Sequence, residues 1–366
     1  MTSGRLRAGL IGLGHMGRHH ARILRQLDGV DVIAAVDPAG DPHRAAIGIP
    51  VLDDLDDLLG LGVDYAVLAC PTSLHERLGT RLAAAGIPTL IEKPLAPDAD
   101  AARRLAEAFD HAGLTGAVGY VERFNPALIA LRTRLEDGFL GEVFQIGTCR
   151  IGPFPVRVTD VGVVQDLATH DLDLTTWVTG RRYASVAAHT AHRSRRPYED
   201  LLAAVGQLTD GTIVHHLVNR LSPLKERTTM VTGDRGCLVA DTLTGDLTYF
   251  ANGCAPGQWD APTAFRGVTE GDMIRYALRN KEPLLGEHEA FRDAVLGRPS
   301  AATPLRDGVN AVTVAQAVLE AARTRSTIPI PVPPSRSSSP AHATAYKPVA
   351  GGSARLRAAE RAVIAE

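Results

Sequence analysis

Gly12-Leu13-Gly14-His15-Met16-Gly17 is the first string in the chain whose residue types and spacing point to chemistry. Gly12 permits a tight turn, Gly14 lets backbone approach a pyrophosphate, and Gly17 lets the next helix pack on the preceding strand. The phosphates, flanked by His15 and Met16, would then meet a helix N-terminus. Twenty residues beyond Gly17, Asp37 closes the apolar run Ile33-Ala34-Ala35-Val36. A carboxylate there accepts hydrogen bonds from both hydroxyls of an adenosine ribose and repels a 2′-phosphate, which predicts NAD rather than NADP. A bare glycine turn with a surface acid is the plainer alternative. The order strand, turn, helix, acid argues for the dinucleotide.

Three further groups decide what such a cofactor would serve. Lys93, in Ile91-Glu92-Lys93-Pro94-Leu95, follows a short apolar run at the carboxyl edge of the expected sheet, where open α/β sheets place ligands. It can donate to a substrate oxygen, although a surface lysine has the same signature. Asp166, His170, Asp173 and Trp177 are spaced i, i+4, i+7 and i+11, so they share one face of a helix. An Asp one turn from a His can orient the imidazole and stabilise its charged form, poising it as a general base. A hydrogen-bonded helix face without chemistry fits the same spacing. No further Cys or His stands at ligand spacing beside them, and hydride acceptance by a nicotinamide needs no Lewis acid, so no metal is expected. The third group is Gly119-Tyr120-Val121-Glu122-Arg123-Phe124-Asn125-Pro126 with the loop Gly152-Pro153-Phe154-Pro155-Val156-Arg157. Arg123 and Arg157 can clamp a phosphate or carboxylate, and Tyr120, Phe124 and Phe154 can stack on a ring. Arg123 can equally pair with Glu122 or another acid, and the aromatics can be junction core.

These groups require elements to hold them. Apolar runs at 6–11, 32–36, 65–69, 89–91 and 115–118 alternate with helical stretches such as 16–27, 74–85 and 99–111, which predicts parallel βαβ units and a doubly wound α/β sheet. After about Arg123 the rhythm changes. A helix at 126–137, a strand at 142–150 and an amphipathic helix at 163–178 precede strand-like runs at 183–191, 201–208, 212–218, 227–231 and 237–241. Two runs flank Thr209-Asp210-Gly211, a connection suited to a hairpin. A second, α+β domain with a largely antiparallel sheet follows, closed by helices at 286–296 and 306–322. Residues 1–122 are therefore expected to bind the cofactor and 123–330 the substrate. Residues 331–366, rich in Pro, Ser, Gly and Ala with a net charge of +3, are expected to be a disordered basic tail, with a short helix near 353–364.

The chain has 366 residues, about two domains and a remainder. With 39 Lys plus Arg against 41 Asp plus Glu, it has no positive field to hold nucleic acid. No run reaches about 18 apolar residues, and the start offers no complete signal-peptide core, so the expectation is a cytoplasmic protein without a membrane partner. Cys70, Cys149, Cys237 and Cys254 form neither a CxxC pair nor a disulfide framework.

Over residues 6–330 these features resemble the Gfo/Idh/MocA family of NAD(P)-dependent sugar and polyol dehydrogenases. The resemblance rests on the GxGxxG, on Glu92-Lys93-Pro94, on Asp166 with His170, and on Cys70-Pro71-Thr72-Ser73-Leu74-His75. It implies that Cys70, Pro71, Thr72 and His75 line the nicotinamide side of the cofactor and that Glu92 and Lys93 belong to the same site. It further implies that His170 takes a hydroxyl proton, that Lys93 hydrogen-bonds the same oxygen and that Asp166 supports the pair. An open-faced sheet joining dimers or tetramers is implied as well. The Glu122-Arg123-Phe124-Asn125-Pro126 string, the Gly152 loop, Ser222-Pro223-Leu224-Lys225-Glu226-Arg227 and Glu282-Pro283-Leu284 resemble the nucleotide-sugar branch, in particular its dehydrogenases that oxidise C3 of UDP-N-acetylglucosamine. On that reading Tyr120, Arg123, Phe124, Asn125 and Arg157 contact the substrate with Lys93, Asp166 and His170, and Arg193, Arg195 and Arg196 suit a diphosphate or form a solvated turn. Tyr120 replaces an expected smaller or imidazole side chain, and 252–270 matches no pattern.

Overall fold

The computed structural model describes residues 4–154, 161–253, 270–279 and 281–331. Arg157, Cys254 and the tail expected beyond Pro331 lie outside the described residues. The first half alternates β1 (Leu6–Ile11), α1 (Gly17–Gln26), β2 (Val30–Val36), β3 (Val51–Leu52), α2 (Leu55–Gly60), β4 (Tyr65–Leu68), α3 (His75–Ala84), β5 (Thr89–Glu92), α4 (Ala99–Ala112) and β6 (Gly116–Gly119). Its six strands pair in parallel in the order β3-β2-β1-β4-β5-β6. Every residue of β4 and β5 is buried, because helices cover both faces of a parallel sheet. Local signals set the helix ends: Asp98 caps α4 by accepting from the Ala101 amide at 2.8 Å, and Gly113 closes it at φ 63°. The two-residue β3 and the six-residue α2 were not expected, being too short to show a period.

The second half contains α5 (Pro126–Glu136), β7 (Val143–Ile151), a π-helical turn (Val164–Ala168) running into α6 (Thr169–Thr179), β8 (Tyr183–Ala191), β9 (Leu201–Leu208), β10 (Ile213–Asn219), β11 (Glu226–Gly233), β12 (Gly236–Asp241), β13 (Asp246–Asn252) and β14 (Glu270–Tyr276), then α7 (Pro283–Val295), α8 (Leu305–Thr324) and β15 (Ile328–Pro329). Among the described residues nine strands form one sheet in the order β14-β13-β12-β11-β7-β10-β9-β8-β15. β9 and β10 make the expected hairpin, with Gln207 opposite Ile213. The sheet is mixed, since β10 runs parallel to β7. Inward residues such as Ile146, Val214, Leu202 and Val231 pack with Leu172 and Val178 of α6 and Val314 and Val318 of α8. The outer face exposes Val205 (54%) and Met273 (67%), with Leu217 and Phe250 also exposed. The last two helices do more than close this sheet. Phe291 of α7 joins the β1–β4 core, and Leu305, Ala311 and Val312 of α8 join the core on the other side of the first sheet. No helix among the described residues is long and apolar enough to cross a membrane.

His216 illustrates how this core handles an inward polar residue. Its Nδ1 meets the Thr148 hydroxyl and its Nε2 the Tyr183 hydroxyl, each at 2.7 Å, one donor and one acceptor for a neutral ring. Burial, with His215 adding to it, pushes its pKa down to about 3. Below pH 6.5 the unfolded chain therefore binds a proton that the folded chain refuses, and stability falls as pH falls. His216→Gln removes that proton, so the unfolding free-energy gap between wild type and variant should narrow by about 2 kcal/mol from pH 7 to pH 5. Urea unfolding across this range checks it, and a gap independent of pH would show that His216 titrates normally.

Candidate active site

The glycine turn has the geometry that a dinucleotide needs. Gly12 adopts φ +97°, and a Cβ there would lie 2.6 Å from the Ala69 carbonyl oxygen. A Cβ at Gly17 would lie 2.0 Å from the Gly12 carbonyl oxygen, so neither position admits a larger residue. Gly14, by contrast, has nothing within 4 Å of an added Cβ, which leaves its backbone open to a ligand. Met16 sits at the N-cap of α1 without a side-chain cap and the first turn carries no acid, so the helix presents its amides to an anion. His15 stands beside them, edge-on to His19 at 5.4 Å. Asp37 is oriented by accepting from the Leu13 amide at 2.7 Å and the Ala39 amide at 2.9 Å. A carboxylate offers about four lone-pair sites, so two remain for ribose hydroxyls. These residues fit NAD.

The segment after β4 supports the site from below. His75 is 1% exposed, and its ring nitrogens meet the carbonyls of Cys70 at 3.0 Å and of Pro94 at 3.1 Å, linking the Cys70-Pro71-Thr72 loop to the turn after Lys93. Burial pushes the Cys70 thiol up to about 12, which rules out a thiolate. Glu92 also faces inward: it accepts from the Lys93 amide at 3.0 Å and meets His20 Nε2 of α1 at 2.8 Å, while His20 Nδ1 meets His288 of α7 at 2.8 Å. Both residues fix loops at the carboxyl edge of the first sheet.

Lys93 and Asp166 come together across the domain junction. The ammonium reaches the Asp166 carbonyl at 2.6 Å and Oδ1 at 3.0 Å, and Arg220, only 2% exposed, pairs with Oδ2. Burial alone would raise the Asp166 pKa, but Lys93 and Arg220 outweigh it and hold it at about 2. This corrects the expected Asp166–His170 dyad. Asp166 lies in the π-helical turn, its carboxylate is taken up by two cations, and His170 Nδ1 is buried without a hydrogen-bond partner. His170 is not stabilised in its charged form either. Burial, followed by Lys93, Arg150 and Arg227, lowers its pKa well below 6.5. The ring is therefore neutral, positioned by packing against the Tyr120 ring at 6.1 Å.

The junction residues take structural places. Arg123 is 7% exposed and bonds Asp173 at 2.5 and 2.8 Å and Asp307 at 2.9 Å, the pairing with another acid rather than an anion clamp. Of the predicted shared face, Asp173 and Trp177 both meet Arg123, with Arg132 also over Trp177, while Asp166 turns to Lys93 and Arg220. Tyr120 is fully buried and cannot stack on a ligand. Asn125 caps α5 through the Ala127 amide at 3.0 Å and donates to Thr242 O, so both ends of its amide are engaged. Phe124 packs beside Gly286 of α7. In the 193–196 turn, Asp200 accepts from the Arg193 and Ser194 amides, and Arg196 stacks over Phe154 at 4.9 Å.

One residue outside every motif, Arg150, completes the site. Arg150 hydrogen-bonds Glu122 at 2.8 Å and Asp171 at 3.0 Å in a nearly dry cluster, with Arg227 beside it. The available signal was parity: Thr148, Arg150 and Thr229 occupy inward positions of strands where apolar side chains are the rule.

A parallel sheet with an open glycine turn, a fixed ribose-type carboxylate, and a lysine and neutral histidine at the mouth of a second domain define an NAD-dependent oxidoreductase acting on CH–OH groups. The chain belongs to the Gfo/Idh/MocA family: the profile of the oxidoreductase family with NAD-binding Rossmann fold matches residues 6–120, and that of the GFO/IDH/MocA C-terminal domain matches 128–239. It is similar to the UDP-N-acetylglucosamine 3-dehydrogenase of Acidithiobacillus ferrooxidans, 32% identical over 82% of this chain and 96% of that one. It is equally similar to the myo-inositol dehydrogenase Hyg17 of Streptomyces leeuwenhoekii, 31% identical over 80% of this chain and 96% of that one. Among solved structures, GenD2 from gentamicin A biosynthesis in complex with NAD superposes with a TM-score of 0.75 at 25% identity, covering 90% of this chain and 97% of that one.

Proposed function

We propose that the protein oxidises a secondary hydroxyl of a sugar, C3 of a UDP-linked amino sugar such as UDP-N-acetylglucosamine, to a ketone. The observation that carries this reading is Lys93, held by Asp166 beside a buried, neutral His170. His170 accepts the hydroxyl proton, which its lowered pKa leaves it free to do at neutral pH. Two of the three Lys93 donors hold Asp166, and the third is left for the same oxygen, where it stabilises the charge that develops as the proton leaves. Bound NAD supplies the hydride acceptor for the carbinol hydrogen. Asp166, kept ionised, fixes the lysine in place.

The near-equal likeness to an inositol dehydrogenase makes a free polyol the competing substrate. Purified protein incubated with NAD and, separately, UDP-N-acetylglucosamine and myo-inositol decides between them by NADH absorbance and by product mass. A 3-keto nucleotide sugar lighter by two hydrogens is the expected result. Turnover of myo-inositol alone would replace this reading with the polyol one, and turnover of neither would remove both.

A further inference from the structure

Arg227 is the second residue of β11 and lies directly opposite Arg150 of β7 in an antiparallel register. The alternation that turns Thr148, Arg150, Thr229 and Val231 inward turns Arg227 to the same, helix-covered side of the sheet. Two guanidinium groups are thus cross-strand neighbours, an arrangement that is unfavourable unless carboxylates offset it. Arg150 has its carboxylates. Its side chain is 5% exposed and hydrogen-bonds both Glu122 and Asp171. Arg227 does not. Its side chain is 36% exposed, and among the described residues its one ion-pair partner is the already engaged Glu122, at 3.8 Å, too far for a hydrogen bond.

Position makes this open fork of donors informative. Arg227 lies close enough to His170 and Asp166 for its charge to act on both, and the charges that act on His170 from outside its helix, Lys93, Arg150 and Arg227, are all positive. Lys93 is committed to Asp166, Arg150 to Glu122 and Asp171, and Arg220 to Asp166. Among the described cations around the histidine, Arg227 is therefore the one with a planar, five-donor group still unmatched, and such a group suits the paired oxygens of a carboxylate or phosphate.

We infer that Arg227 is a substrate-binding residue that pairs with an anionic oxygen group next to the carbinol met by His170, and so selects charged sugars over neutral polyols. This rests on the sugar-oxidation reading above for its choice of substrates, but not for the binding itself. The shared chemistry is an oxyanion, and it has two sources: a phosphate of the nucleotide, or a carboxylate on the sugar ring.

The experiment compares wild type, Arg227→Met and Arg227→Lys, each loaded with NAD. Calorimetry with UDP and with D-glucuronate as probes distinguishes the sources. Wild type should bind at least one of them, Arg227→Met should bind it at least tenfold more weakly, and Arg227→Lys should fall between. Loss of UDP binding assigns the phosphate, and loss of glucuronate binding the carboxylate. In turnover, where the phosphate is the partner, Arg227→Met should raise KM for UDP-N-acetylglucosamine at least tenfold with a smaller change in kcat. Equal probe binding by wild type and Arg227→Met, or no probe binding by wild type, overturns the inference. If no sugar is oxidised but probe binding still depends on Arg227, the oxidation reading falls and the binding assignment stands. Thermal unfolding of both variants identifies misfolding, and should Arg227→Met fail to fold, Arg227→Lys carries the test.

Discussion

His170→Gln is expected to lower kcat by about 10²- to 10⁴-fold, the usual contribution of a positioned general base, while leaving the affinity for NAD within about twofold. The geometry limits the effect to the chemical step. His170 sits on α6, beneath the cleft, whereas the glycine turn and Asp37 that fit the cofactor lie on the first sheet. With burial, Lys93, Arg150 and Arg227 all disfavouring the imidazolium, the wild-type acid limb of kcat/KM should fall well below pH 6.5. Sugar-dependent NADH formation, followed from pH 5 to 9, and NAD titration of the variant check both statements. An unchanged kcat would remove His170 from the chemistry. An acid limb near 6.5 would mean that the enzyme before substrate binds does not depress the His170 pKa, since kcat/KM reports the free enzyme.

The second large effect concerns stability. Arg150→Met should cost about 3–5 kcal/mol, because it leaves two buried carboxylates facing one another without their shared cation. Glu122 and Asp171 are both more than nine-tenths buried, and burial already raises the Asp171 pKa against the pull of Arg150. Removing all three charges, as Glu122→Gln, Arg150→Met and Asp171→Asn together, should recover most of that loss, since the penalty lies in the unmatched carboxylates rather than in the missing ion pair. Denaturant unfolding of the single and triple variants separates these terms. A loss below about 1 kcal/mol in the single variant would mean that water reaches the cluster and screens it.

Much of the frame was legible before any coordinates. The alternation of apolar runs with helical stretches, the glycine string and Asp37 map onto β1, α1 and β2, because a βαβ unit is built from contacts close in sequence. The hairpin at Thr209-Asp210-Gly211 was readable for the same reason. The dyad of Asp166 and His170 was misjudged. Spacing of i, i+4 assumes a regular α-helix, and the π-helical turn at Val164–Ala168 changes where Asp166 points. The sequence leaves Arg123 either an anion clamp or the partner of an acid, and nothing local reveals the two carboxylates 50 and 184 residues away.

By itself, then, the sequence determined the doubly wound cofactor domain and the preference for NAD, and it singled out Lys93, Asp166 and His170 as candidates for the site. These depend on periodicity and on short motifs, which each segment carries within itself. Only the tertiary structure decided which charges meet. Lys93 joins Asp166 across 73 residues and Arg220 joins it across 54, Arg150 finds Glu122 and Asp171, and Arg227 is left, among the described residues, with its donors open. A buried charge must be matched by whichever partner the packing brings within about 3 Å, and that choice is made by the docking of two domains, to which no single segment's pattern refers.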